Sequence, residues 1–86
     1  MADLTREVAQ AVHYMIENLK PALTSDPGAS IGAAFQDFND LLARAKKAFP
    51  NLPTIQEMKK LKGSTSVAGL VTKLSAIQGA ISAERR

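Results

Sequence analysis

The sequence predicts an all-α protein: a small bundle of three main helices plus one short helix, forming a single helical domain over residues 1–86. Three observations lead there. Apolar residues recur at intervals of three and four along most of the chain, the spacing that lines one face of a helix. Strand signals are missing, with no sustained alternation, no β-branched run and no Asn-Gly or Asp-Gly turn. The length suits one domain, and a chain this short hides only about 60% of its unfolded surface. The core is therefore thin. It leaves room for packed helices but little for a deep cleft.

The first helix is expected to begin after Asp3, a good cap for free amides. Leu4, Val8, Val12, Met15, Leu19 and Leu23 then fall on one face. Pro21 lacks a backbone donor and crowds the preceding turn, so this helix should end or kink near Lys20. Ser25-Asp26-Pro27-Gly28 reads as a turn. The second helix should run from about Ser30 to Phe49. Ile31, Phe35, Phe38, Leu42, Ala45 and Phe49 share its apolar face, flanked by Ala34, Leu41 and Ala48. It carries all three phenylalanines of the chain, which makes it the expected spine of the core.

Pro50-Asn51-Leu52-Pro53 closes that helix, and Thr54-Ile55-Gln56-Glu57 has the order of a capping box. A short third helix follows, with Ile55, Met58 and Leu61 inward. Gly63 is then the expected left-handed residue after its end, with Lys59, Lys60 and Lys62 beside the negative terminus. The fourth helix is expected from Ser64 or Ser66 to Ala83.

The composition removes several chemistries. There is no cysteine, hence no disulfide framework, thiolate nucleophile or cysteine-bound zinc. His13 is the one histidine, with Glu17 a turn later, and two ligands do not make a metal site. Asp37 and Asp40 form a DxxD pair on the polar side of the second helix, whereas bundle metal sites use inward carboxylates. Asp40 is instead spaced to pair with Arg44. Tyr14 lies off the main apolar stripe, as a rim contact. No nucleophile with an orienting base and no poised acid–base pair is visible, so no catalytic residue, metal or cofactor is expected. The start MADLTREVAQ carries acids early and lacks an apolar signal core, which reads as cytoplasmic.

Charge is unevenly spread. The formal net charge is +3, but residues 1–40 carry two basic and six acidic side chains, and residues 41–86 carry nine and two. The basic half suits an acidic partner, or the acidic half of a second molecule. Within it, residues 59–66 read KKLKGSTS. One reading is an anion cradle at the start of the fourth helix. The stretch lacks the GxxxxGK[ST] order, however, and helix stop and start signals account for every residue. A related reading takes residues 54–74 as a helix-turn-helix that meets nucleic acid through Arg44, Lys46, Lys47, Lys59, Lys60 and Lys62. The early outward positions of its second helix hold Ser, Thr, Ala and Gly, which supplies phosphate contact but few readers of base edges.

The most informative segment is 63–83, with the single charge Lys73. Val67, Leu70, Val71, Leu74, Ile77 and Ile81 form its apolar face. Nearly opposite run Thr65, Gly69, Thr72, Ala76, Gly79 and Ala83, where a surface helix normally carries charge. Two glycines inside a helix each cost about 1 kcal/mol relative to alanine, so a packing reason is expected. A central lysine and many hydroxyls argue against a membrane span. The leading expectation is thus a non-enzymatic interaction module, self-associating or an adaptor for another protein, whose interface is the small-residue seam. The alternative is the helix-turn-helix nucleic-acid binder.

Overall fold

The computed structural model describes residues 3–84, Asp3 by its backbone alone. Four helices follow in order: α1 Asp3–Ser25, α2 Ala34–Ala48, α3 Pro53–Gln56 and α4 Val67–Glu84. The all-α class and the count of three long helices and one short agree with the periodicity. The cap expected of Asp3 concerns a side chain outside the described residues. At about 1.5 Å per residue, the 23 residues of α1 span nearly the whole 36 Å long axis of the molecule. α1 lies against both α2 and α4, and α3 touches the same two helices. The backbones of α2 and α4 do not meet. Their side chains do, in one core of Phe38, Leu41, Leu42 and Ala45 with Leu70, Leu74, Ile77 and Ile81, joined by Val8 and Val12 of α1 and by Ile55.

Three helices differ from expectation in their boundaries, each for a physical reason. α1 runs through Pro21 for another turn. Pro21 and Glu17 are both exposed, so water can satisfy the carbonyl that proline leaves without a donor. The extra turn is held by Ser25 Oγ–H donating to the Pro21 carbonyl at 2.8 Å and by half-buried Ala22 and Leu23.

α2 starts at Ala34 instead of Ser30, because the preceding residues pair with a distant loop. The Ile31 N–H donates to the Thr65 carbonyl at 2.8 Å and the Gly32 N–H to the Gly63 carbonyl at 3.1 Å. In return Val67 N–H donates to Ala29 at 2.8 Å and Ala68 N–H to Pro27 at 3.0 Å. Ser30 and Ser66 form the antiparallel bridge at the centre of this junction. The left-handed residue is Gly32, at φ 59°, and not Gly63. Gly63 serves close approach instead: a β-carbon there would lie 3.3 Å from the Gly32 carbonyl oxygen.

α3 begins one residue earlier than the capping box requires. Pro53 takes its first position, where a fixed φ and a missing donor suit a helix start. Thr54 therefore lies inside the helix, Leu52 takes the cap position without a side-chain bond, and the box with Glu57 does not form. The helix ends at Gln56, so Lys59, Lys60 and Lys62 belong to a non-helical strap over residues 57–62 and do not complement a helix terminus.

Phe38 and Leu42 sit at the centre of the core with essentially no exposure. Truncating either to alanine is expected to cost about 2–5 kcal/mol, read as a lowered denaturation midpoint. An unchanged midpoint would place the core elsewhere. Gly32→Ala is expected to cost about 1 kcal/mol for its left-handed backbone. Gly28→Ala, in open space with an ordinary φ, should cost nothing comparable in the same unfolding assay.

Candidate functional site

The basic residues are placed by the strap. Asn39, half-buried on α2, holds Leu61 by both backbone groups: its Nδ2 donates to the Leu61 carbonyl at 3.1 Å, and its Oδ1 accepts the Leu61 N–H at 2.8 Å. Gln56 Nε2 donates to the carbonyls of Lys46 at 2.8 Å and Phe49 at 3.1 Å. Residues 56–61 thus run back along α2 from its last turn towards its middle. Met58 is buried and Leu61 half-buried, which leaves Lys59, Lys60 and Lys62 exposed. Asn39 and Lys46 are seven residues apart, two helical turns, so Lys46 lies on the flank that carries the strap, whereas Lys47, seven residues from Asp40, lies with Asp40. Arg44 is separated from this group. Two residues from Lys46, it projects from nearly the opposite side of α2, the side of Asp37 and Asp40.

The helix-turn-helix outline does not form. Its two helices require a turn of about 3–4 residues, whereas the strap and the following turn separate α3 at Gln56 from α4 at Val67. The anion cradle is filled by the protein itself. The first free amides of α4 belong to Val67, Ala68 and Gly69. The first two donate to Ala29 and Pro27, and the third to Ser66 Oγ at 3.0 Å. Ser66 is therefore the cap of α4, as its residue type suggests. No α4 amide in this set remains for a phosphate.

The seam divides into two parts. Thr65 and Gly69 are half-buried within the loop junction, and a β-carbon at Gly69 would lie 3.2 Å from both Ser66 Oγ and Thr65 Cγ2. Thr72, Ala76, Gly79 and Ala83 are exposed, Thr72 Oγ1–H donating to the Ala68 carbonyl at 2.8 Å. Helix α1 does not cover them. A β-carbon built at Gly79 meets nothing within 4 Å.

The remaining candidates are surface groups. Glu17 Oε2 pairs with Lys20 Nζ at 2.6 Å instead of with His13, and this ion pair alone is formed among the described residues. Asp40 and Arg44 do not join. The Lys20 hydrogen bond, chiefly, holds the Glu17 carboxyl below its ordinary value of 4.5 against an opposing desolvation, with the charges of Lys20 and then His13 lowering it further. Among the described residues no group of three or more acidic or histidine side chains is placed to hold a metal, and no helix is long and apolar enough to cross a membrane. Tyr14 is 66% exposed and borders a groove of about 380 Å³ between α1 and α2 with Met15, Leu19 and Ala34. No family model, curated protein or solved structure matches the chain.

Asn39 and Gln56 are the residues holding the strap that periodicity does not reveal. A signal exists for Asn39: it follows Phe38 on the flank of an apolar face, where a half-buried amide needs partners. Asn39→Ala leaves two backbone groups of Leu61 without protein partners, and about 1–3 kcal/mol of stability should be lost, with faster hydrogen exchange at the Leu61 amide. Lys20→Ala should raise the Glu17 pKa towards 4.5, read by carboxyl NMR titration. The sign follows from the lowered pKa. The pair favours the folded state above the ordinary carboxylate range, and its contribution fades as pH falls through the lowered value.

Proposed function

We propose that this chain is a non-enzymatic helical interaction module of the cytoplasm, whose α4 meets a protein partner along Thr72, Ala76, Gly79 and Ala83. The simplest partner is a second copy. Gly79 carries this reading. A helix-interior glycine costs about 1 kcal/mol relative to alanine, and nothing in the chain's own packing requires it, since the space beside it is open. Gly69 is different, because its neighbours Thr65 and Ser66 already crowd the position. The reason for Gly79 therefore lies outside the folded monomer. Close approach of another helix fits, because small side chains let two axes come near and gather dispersion contacts along the seam. A two-fold axis would set the seam against itself.

Light scattering on a size-exclusion column across a concentration series tests this. The wild-type protein is expected to dimerise, and Gly79→Leu to yield a folded monomer, because the open space admits the larger side chain without internal clash. Gly79→Ala should raise monomer stability by about 1 kcal/mol. A wild-type protein monomeric at every concentration would remove self-association and leave only a different protein as partner.

A further inference from the structure

We propose that the strap and the adjacent flank of α2 form a sequence-independent binding surface for the phosphate backbone of a nucleic-acid duplex. Lys46, Lys59, Lys60 and Lys62 make it up. The inference goes beyond the α4 reading and does not depend on it.

The lysines are brought together by contacts in which their own side chains take no part. Asn39 and Gln56 bind main-chain groups of Leu61, Lys46 and Phe49, and Met58 and Leu61 anchor the strap inward. Among the described residues none of these four lysines makes an ion pair. Glu57, at the start of the strap, is the one acid of residues 57–62 and does not neutralise the group; Asp40 lies towards the Arg44 side of α2. A strap held at both ends presents these charges without the entropy cost of ordering a loose loop.

Several partners would feel this field, and the surface chemistry separates them. An anionic membrane is gripped by apolar side chains inserted beside the lysines, but Met58 and Leu61 point inward and the exposed large hydrophobic among the described residues, Tyr14, is on α1. A protein interface is anchored by aromatic residues and arginine, and here there is neither, since Arg44 projects from the other side of α2. Single strands are held largely by stacking on aromatic rings, again absent. Lysine is a hydrated point charge suited to phosphate, and a duplex offers the densest phosphate array, about one charge per 1.7 Å of axis. Asn39 and Gln56, the amides that hold the strap, are already committed to the backbone, and the strap's exposed side chains between Glu57 and Gly63 are lysines alone. Binding should therefore ignore sequence.

The test is fluorescence anisotropy with labelled DNA duplexes of about 20 base pairs in two unrelated sequences, over about 50–200 mM salt. A matched single strand, poly-glutamate and phosphatidylserine vesicles serve as competitors. Equal affinity for both duplexes is expected, with a steep loss of affinity as salt rises. The Lys59→Gln, Lys60→Gln, Lys62→Gln triple variant should reduce the log–log salt slope by close to 3, about 0.9 for each lost phosphate contact, and leave the melting temperature unchanged. Arg6→Gln, on α1, should leave the slope as it is. No duplex binding at the lowest salt would overturn the proposal. So would a slope unaffected by the triple variant, a tenfold preference between the sequences, or stronger competition by poly-glutamate, vesicles or single strand than by unlabelled duplex.

Discussion

Four backbone hydrogen bonds join the connection around Ala29–Gly32 to the one around Gly63–Ala68, and the directions of α2 and α4 follow from them. Both helices start at this junction and run away from it the same way. Their far ends return to the beginning of α1, since Thr5, Ala48 and Glu84 border one cavity. α1 is thereby antiparallel to both. The last turn of α1 carries no basic residue, yet its end lies beside the start of α4, whose amides take up the Pro27 and Ala29 carbonyls just beyond it. The junction thus satisfies helix-end groups that would otherwise need water or side-chain caps.

With the two helices started together but their backbones apart, large side chains must fill the space between them. Phe38, Leu41 and Leu42 from α2 and Leu70, Leu74 and Ile77 from α4 do this with almost no exposure. No charged or polar side chain is buried among the described residues, so the interior makes no electrostatic demand and has no desolvated charge to compensate. The polar specification lies at the half-buried margin, in Asn39 and Ser66. These side chains fix where the strap runs and where α4 begins.

The periodic parts of this structure were legible in the sequence and the paired parts were not. Phe38, Leu42, Leu70, Leu74 and Ile77 announce themselves by spacing, because a helix repeats its inward face locally. Ser66 was legible as a cap for the same local reason. Which glycine takes the left-handed backbone was not, since Gly32 owes its conformation to a partner some thirty residues away. Pro21 does not stop α1, because the carbonyl it leaves without a donor faces water near the helix end. Pro53 shifted the α3 start by one position and so dissolved the Thr54–Glu57 box. The seam's spacing was visible, but the use of Thr65 and Gly69 inside the loop junction was not. The basic group was visible as composition; its division, with Arg44 and Lys47 set apart from Lys46, Lys59, Lys60 and Lys62, needed the path of the strap.

The strap also bears on how this surface can change over time. Its route is set by amides on α2 and α3 reading main-chain groups, which every residue but proline offers in full. Lys59, Lys60 and Lys62 contribute nothing to that route, so substitutions there alter the surface while the path stays put. Drift at these positions is largely uncoupled from foldability. A descendant could exchange charge for apolar or hydroxyl groups along the same ridge with an unaltered core. In this domain, the charge the strap displays and the path it follows are set by separate residues.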